Sequence, residues 1–449
     1  MTRGEYLSVV EEQIRCKQVK SVIREELEAH MEDQKEAYIY NGKSEEEAEL
    51  LAVKEMGDPV VTGQQLDKVH RPKTDWVLPL LAVGISIVGI IVQCMIFPYM
   101  DNTQIQESYA ANTIIYNVIG IAVMLALFFT KYNLLGLYPW HIYGLYLIVM
   151  TVAMKIAESQ SYYKMLILGN LGWMLFVPIF AGFVYRYREE KWKGIIKSIA
   201  ILVLNWIIQM CVMATFSGAY FLVATFCCLI TIGAAILKGL YHGNKARQII
   251  SYVAIVVGIP TAMLCDILWN SGKVMGLATY QIERIRAIFN MNEYSNMYGY
   301  SALIARQQIS QASWFGGEGM GLLDKLPGVH SEYIITGIFS FWGIGAATAL
   351  LLVIALFLTR AFRLSLFQKN RMGFLLGIAT SSMLIVKSIC YVCANMGWIP
   401  GTCVDMPFLS YGMCNTIMNY AYLGLILSVY RYTNVYTEPT KKRKIVIYK

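Results

Sequence analysis

The chain consists mainly of long apolar runs that are separated by short charged loops. A bilayer core about 30 Å thick needs roughly 20 apolar residues per helical span. Because lipid offers the backbone no hydrogen-bond partner, such runs cross a membrane as helices. The pattern predicts about ten spans, near residues 76–97, 113–130, 137–157, 165–185, 195–214, 218–237, 249–269, 333–358, 373–393 and 411–429. The fifth and sixth runs lie close together, so another division of that stretch is open.

Charged residues are concentrated at the start of the chain. They make up only 15% of the whole sequence, whereas 56% is hydrophobic, and a soluble domain carries roughly 25% charged residues. This asymmetry indicates two unlike parts. We predict an all-α polytopic membrane protein, with a small soluble helical domain at residues 1–72 and a membrane domain at residues 73–449. The first 70 residues lack an apolar run, so no signal peptide is expected before the spans.

Basic side chains cluster in alternate loops, and such clusters mark the cytoplasmic side of a membrane protein. With ten spans, all clusters fall on one side together with both termini. The predicted topology therefore places both termini in the cytoplasm and a long loop, residues 270–332, outside the cell. The clusters are Arg186, Arg188, Lys191, Lys193 and Lys197; Lys238, Lys245 and Arg247; Arg360, Arg363, Lys369 and Arg371; and Lys441, Lys442, Arg443 and Lys444. This placement points to membrane lipids as surroundings and gives no indication of nucleic acid as a partner.

Residues 1–70 show the periodicity of three or four short amphipathic helices. Asn41 and Gly42 are typical of a helix end, and Ser44 with Glu47 forms a capping box that opens the next helix. Residues 26–59 resemble the small helical domain, called HAAS or permease-prefix, that precedes many bacterial membrane proteins. The resemblance implies a docking or regulatory role. His30 lies on a charged helix without a second histidine or a cysteine nearby, which favours a solvated histidine over a metal ligand.

The loop between the seventh and eighth spans is long and rich in glycine. Loops of this length without a domain of their own are usually functional. Four glycines in residues 316–321 permit a tight backbone path near a ligand. Charge on the outer face comes from Glu283, Arg284, Arg286, Arg306, His330 and Glu332.

Two separate motifs resemble the SEDS proteins FtsW, RodA and SpoVE. In the long loop, residues 315–321 are similar to the family's FGxGxG stretch, and residues 326–333 (LPGVHSEY) to its LPExHTDF motif. Before the last span, residues 397–412 (GWIPGTCVDMPFLSYG) follow the family's GLLPVTGLPLPFLSYG without a gap. The resemblance covers roughly residues 76–432 and identifies the chain as a divergent member.

The resemblance implies a glycosyltransferase that polymerises undecaprenyl-linked lipid II into peptidoglycan in the bacterial plasma membrane. It also implies a class B penicillin-binding protein as partner. The family's essential acid is the Asp of HTDF, and this chain has Glu332 there, one methylene longer. Two other motifs depart from the family. Of the family's QPSE motif in the fourth span, this chain keeps only the proline, as Pro178. The last three residues of the family's SYGGSS motif are replaced here by Met413, Cys414 and Asn415.

Glycan polymerisation needs a base for the attacking sugar hydroxyl and positive charge, or a divalent cation, for the leaving pyrophosphate. We expect Glu332 to be the base. His330 is expected to order the loop by hydrogen bonding rather than to titrate in catalysis. Arg284 is the candidate for pyrophosphate contact, and pairing with Glu283 or a lipid phosphate is the alternative.

Further candidates come from the last two spans. Lys387 lies near the middle of a span, where an ionisable residue is costly, so a cavity-facing substrate role stands against snorkelling to the interface. Asp405 is a candidate ligand, with Glu332, for Mg²⁺ or Mn²⁺, and a turn-stabilising aspartate is the alternative. Ser410 and Tyr411 complete the predicted substrate-binding set.

Two other functions remain open at the level of sequence. The loss of QPSE favours a non-catalytic scaffold that holds a penicillin-binding protein. Ten spans alone also fit a transporter for a lipid-linked substrate, although a transporter is expected to show internal repeats and we find no convincing one. The retained LPGVHSE and PFLSYG segments favour the glycosyltransferase, in elongation, division or sporulation.

Overall fold

The computed structural model describes residues 1–70, 72–96, 103–213, 218–270, 279–316, 319, 321, 323–402 and 404–434. Throughout these residues the regular structure is helical and there is no strand, which confirms the all-α prediction. The predicted span ends at Phe97 and Ala214, part of the glycine-rich stretch and the C-terminal basic cluster lie outside the described residues. The chain divides into two compact units, one of Met1–Thr74 with the chain from Tyr430 onward, the other of Asp75–Val429.

The first unit contains four helices, α1 (Arg3–Gln13), α2 (Lys17–Tyr40), α3 (Glu45–Glu55) and α4 (Pro59–His70). The Ser44 side chain accepts a hydrogen bond from the Glu47 amide, so α3 begins where the capping pattern predicts. Buried apolar side chains on α1, α2 and α3 form a core: Tyr6, Leu7, Val10, Ile23, Met31, Ala48 and Ala52. A docking role for this unit stays a prediction.

The second unit contains both long and short helices. They are α5 (Val77–Ile96), α6 (Thr103–Phe129), α7 (Leu134–Leu137), α8 (Pro139–Glu158), α9 (Tyr162–Arg186), α10 (Lys191–Met213), α11 (Gly218–Leu237), α12 (Lys245–Asn270), α13 (Thr279–Phe289), α14 (Tyr300–Ser310), α15 (Ile334–Leu366), α16 (Arg371–Asn395) and α17 (Met413–Arg431). Among the described helices, eight are long and apolar enough to cross a membrane: α5, α6, α8, α9, α10, α11, α15 and α16.

The protein is therefore a multi-pass membrane protein. The predicted seventh and tenth spans correspond to α12 and α17, which are helical but are not among the eight. As membrane spans they stay predictions, and so does the orientation of the termini. The predicted outer loop contains α13, α14 and a short 3-10 turn at Leu323–Lys325.

Helix α15 is broken at Gly343, where φ is 84° and ψ is −178°. Essentially only glycine occupies this backbone region. The loop before α15 forms main-chain hydrogen bonds with the break, so the amides freed there have partners. These bonds run from Ile344 to Ser313 (2.9 Å), Gly345 to Trp314 (3.1 Å), Gly316 to Trp342 (3.2 Å) and Gly319 to Ser340 (3.2 Å).

We predict that Gly343→Ala destabilises the protein by at least about 2 kcal/mol. An added Cβ would lie 2.6 Å from the Ser313 carbonyl oxygen and 2.7 Å from that of Gly316, in a backbone conformation that alanine disfavours. Thermal unfolding in detergent measures the change. Gly144→Ala in α8 is the matched control, because its Cβ would meet nothing within 4 Å and alanine favours a helix. Equal unfolding temperatures for the two variants would contradict the prediction.

Candidate functional site

The site is built around the segment between α16 and α17, residues 396–412, which we call the α16–α17 loop. It contains the PFLSYG motif, and residues 404–410 are buried. Phe408 has a positive φ of 65°, which is uncommon outside glycine. Such strain costs about 1–3 kcal/mol and persists only where the surroundings fix it. The Phe408 ring packs edge-to-face against Phe357 and Tyr420, at centroid distances of 5.3 and 5.0 Å.

A buried ion pair ties this loop to the helices around it. Lys387 on α16 is 0% exposed, and its Nζ lies 2.7 Å from Asp405 Oδ1. The same ammonium donates to Asn419 Oδ1 of α17 at 2.9 Å, and Asn419 Nδ2 donates to Asp405 Oδ2 at 2.8 Å. The Tyr220 hydroxyl of α11 also donates to Asp405. Each charge is thus neutralised and hydrogen-bonded within the bundle, as buried charges require.

The α16–α17 loop in turn holds the residues that precede α15. Ser410 Oγ donates to the Ser331 carbonyl at 2.7 Å and accepts from the Met406 amide at 2.9 Å. The Tyr411 amide donates to the His330 carbonyl at 3.3 Å. The two sequence motifs, 79 residues apart at Ser331 and Ser410, therefore meet through main-chain carbonyls.

Glu332 lies in a turn that is fixed from a second side by α16. The Tyr391 hydroxyl donates to the Ser331 carbonyl at 3.0 Å and accepts from the Ile334 amide at 2.9 Å. Asn395 Nδ2 donates to the Glu332 carbonyl at 2.8 Å. The backbone is thus held immediately before and after Glu332, whose side chain is half-buried.

His330 packs among aromatic rings at the edge of this turn. Its ring centroid lies 5.2 Å from that of Tyr109 and 5.6 Å from that of Tyr411. Burial lowers the pKa of His330 below its usual 6.5, so the imidazole is neutral at pH 7. The contacts of this ring are aromatic packing, and the ordering of the loop by hydrogen bonds of His330 stays a prediction.

Two arginines of the outer helices donate to carbonyls of the α16–α17 loop. Arg284 on α13 donates to Gly401, and Arg306 on α14 donates to Gly397 at 2.6 Å. Arg284 is exposed, and a guanidinium carries five donors. Its predicted contact with pyrophosphate is therefore compatible with this bond and stays a prediction.

The structure joins six of the seven predicted site residues in one hydrogen-bonded assembly and attaches Arg284 to the same loop. Lys387 is buried and paired with Asp405, so a contact with substrate would require their separation, and its substrate role stays a prediction. Both Asp405 oxygens are occupied, so this donor set does not fit a divalent cation. Among the described residues, no group of three or more His, Cys, Asp or Glu is placed to hold a metal.

Sequence reasoning missed four polar residues that hold the assembly. Asn395 and Asn419 are amides within apolar runs, and this signal was available because such groups are rare there without partners. Tyr220 and Tyr391 gave no comparable signal, since tyrosine is common in membrane helices.

Comparison with known proteins identifies the family. A family model described as "cell cycle protein", of FtsW, RodA and SpoVE, matches residues 173–435. This is more than half of the chain and includes both motifs. The chain belongs to the FtsW/RodA/SpoVE family.

Relatives within the FtsW/RodA/SpoVE family are distant. The probable peptidoglycan glycosyltransferase FtsW of Bacillus subtilis is 24% identical over 209 residues, which are 46% of this chain and 51% of the relative. Stage V sporulation protein E of the same species is 25% identical over 159 residues, 35% of this chain and 43% of the relative. The FtsW of Pseudoalteromonas translucida is 24% identical over 308 residues, 64% of this chain and 70% of the relative. The chain thus spans about half the length of several relatives.

The fold is also that of a solved relative. A chain from a peptidoglycan synthase complex, described as coordinating polymerization and crosslinking, matches with a TM-score of 0.58 and 18% identity. The match covers 80% of this chain and 98% of the other. At this identity the likeness shows a shared fold.

The lowered pKa of His330 predicts a pH-dependent contribution to stability. Below about pH 6.5 the unfolded chain takes up a proton at His330 that the folded chain does not. The contribution of His330 to the free energy of unfolding therefore falls as the pH drops towards the lowered pKa of the folded state. His330→Phe keeps an aromatic ring and removes the titration. We expect its unfolding temperature to fall less between pH 7.5 and 5.5 than that of the wild type, by on the order of 1 °C.

Thermal unfolding in detergent at several pH values measures this difference. His141→Phe, at an exposed position, is the control for the loss of one histidine. An unchanged pH dependence in His330→Phe would contradict the burial argument.

Proposed function

We propose that this chain is a peptidoglycan glycosyltransferase that polymerises lipid II at the outer face of the bacterial plasma membrane. Membership of the FtsW/RodA/SpoVE family supports the reaction class. The observation that carries the proposal for this chain is the turn of Glu332. Its backbone is fixed by Tyr391 and Asn395 of α16 and by Ser410 of the α16–α17 loop. A carboxylate on an immobilised backbone suits a positioned general base.

In the proposed reaction Glu332 removes the proton from the 4-hydroxyl of the acceptor sugar. The oxygen forms a bond with the anomeric carbon of the donor, with inversion, while the bond from that carbon to pyrophosphate breaks. The lipid pyrophosphate leaves with the bonding electron pair, and Glu332 retains the proton until it passes to solvent. A general base contributes about 10²–10⁴-fold to such a step. Arg284 is the proposed contact for the departing negative charge.

Partners are proposed on the same basis. A class B penicillin-binding protein would cross-link the strands; the solved chain of similar fold comes from a peptidoglycan synthase complex that is described as coordinating polymerization and crosslinking. The N-terminal helical unit, which resembles a prefix domain, would dock a cytoplasmic regulator. A divalent cation is proposed to act at the pyrophosphate of the substrate rather than at Asp405, whose oxygens are occupied.

We predict that purified wild-type protein forms glycan strands from labelled lipid II and that Glu332→Gln lowers the rate by about 10²–10⁴-fold. Gel analysis of the strands measures the rate, with Mg²⁺ or Mn²⁺ and with a chelator. Asp324→Asn is the matched control, because it removes an exposed carboxylate from the same loop. Its rate should equal that of the wild type.

The other outcomes separate the alternatives. Full activity in Glu332→Gln would contradict the assignment of the base. No product from the wild type, even with a cognate penicillin-binding protein, would contradict the enzyme and favour the scaffold. Loss of product with the chelator alone would establish the cation requirement.

A further inference from the structure

Residues 404–410 of the α16–α17 loop combine a strained backbone with burial. Phe408 has a positive φ, and the residues on both sides, 404–410, are buried. A strained conformation relaxes unless its neighbours are held in place. The hydrogen bonds of Asp405 lie on one side of Phe408 and those of Ser410 on the other. The loop is thus held at both ends of the strained residue.

We propose that the Lys387–Asp405 ion pair is a positioning device that sets the location of the Glu332 turn through the α16–α17 loop. This inference rests on the proposed function, because its catalytic consequence requires Glu332 to be the base. It assigns Lys387 and Asp405 a role that involves neither substrate nor metal.

The connection between the pair and the turn is short. Asp405 is followed by Met406, whose amide donates to Ser410 Oγ at 2.9 Å. Ser410 Oγ donates to the Ser331 carbonyl at 2.7 Å, and Ser331 precedes Glu332. Because the loop is close-packed, its residues have little free volume into which they can shift when Asp405 moves. Movement at the ion pair is therefore transmitted to the turn.

Stability alone does not explain a charged pair here. Apolar residues of similar volume are often as stabilising as a buried ion pair, or more so. The pair adds a defined orientation of the Asp405 carboxylate, because donors on α11, α16 and α17 fix both of its oxygens. Apolar packing is non-directional and would leave the loop several orientations. The ion pair selects one.

The location of the pair also favours an indirect role. Lys387 is 0% and Asp405 5% exposed, so neither reaches a lipid head group or a soluble substrate. An effect of either residue on catalysis must then pass through the groups that it contacts. The double variant Lys387→Met/Asp405→Leu tests this, since it removes both charges and keeps the approximate volume.

We predict that each single variant unfolds at a lower temperature, because it leaves one buried charge alone. The double variant is expected to unfold near the wild-type temperature but with kcat lowered about 100-fold, as a misplacement near 1 Å produces. KM for lipid II should be unchanged, because the pair does not touch the substrate. A merely structural pair would move the unfolding temperature and leave kcat of the folded double variant intact.

Ser410→Ala provides a second test of the same path. Because it cuts the link downstream of the pair, it should lower kcat, and adding it to the double variant should cause little further loss. Fully additive losses would contradict a shared path. A raised KM in the double variant would contradict indirect action and favour direct substrate contact.

A matched control comes from a second ion pair in the same unit. Arg360 pairs with the buried Asp75 at 2.6 Å, and Asp75 also accepts hydrogen bonds from the Val77 and Leu78 amides at the start of α5. Arg360→Met should lower the unfolding temperature and leave kcat of the folded protein unchanged.

Hydrogen exchange gives a readout that does not depend on activity. The amides of residues 331–334 should lose protection in the double variant and keep it in Arg360→Met.

If the double variant does not fold, Lys387→Gln/Asp405→Asn replaces it, since the amides keep hydrogen-bonding groups without the charges. Wild-type kcat and wild-type protection in either folded double variant would overturn the proposal. An inactive wild type would contradict the proposed function alone, because the exchange measurement still tests the positioning.

Discussion

The membrane unit depends on two opposite charges that have been removed from water and lipid alike. An isolated ammonium or carboxylate inside a bundle costs several kcal/mol, so Lys387 and Asp405 are stable there only together. Their pairing imposes one arrangement on α11, α16, α17 and the loop that carries Asp405. A constraint of this kind acts on geometry more than on net stability.

The α16–α17 loop illustrates a general difficulty of membrane proteins. Irregular backbone leaves amides and carbonyls without regular partners, and it is tolerated at membrane depth only inside protein. Here side chains from surrounding helices supply the missing donors. Gln93 of α5 donates to the Leu409 carbonyl at 2.9 Å, and Arg284 and Arg306 donate to carbonyls nearer the start of the loop. The loop is therefore an integral part of the core, and the polar residues around it have a structural purpose as well as any chemical one.

The fold could be predicted from the sequence where one strong physical signal determines the outcome. Apolar runs bounded by charged residues gave α5 and α11 within about a residue, because hydrocarbon thickness sets helix length. The break at Gly343 was not predicted. It lies inside a continuous apolar run, and hydropathy gives no information on backbone geometry. The site followed from its motifs, yet its connections did not. Tyr220 and Asp405 are 185 residues apart, and one sequence contains no information on which distant polar residues meet.

The fixed turn also bears on the exchange of the family's aspartate for Glu332. In a loose loop, a backbone shift would absorb one additional methylene. Here Tyr391, Asn395 and Ser410 hold the main chain on both sides of the residue, so the backbone is not free to retreat. The carboxylate must then project about 1.5 Å further than an aspartate would. In the proposed reaction, the additional length would be taken up by the side-chain rotamer of Glu332 or by the depth at which the acceptor sugar binds. The hydrogen-bonded assembly thus fixes the backbone position from which the Glu332 carboxylate projects.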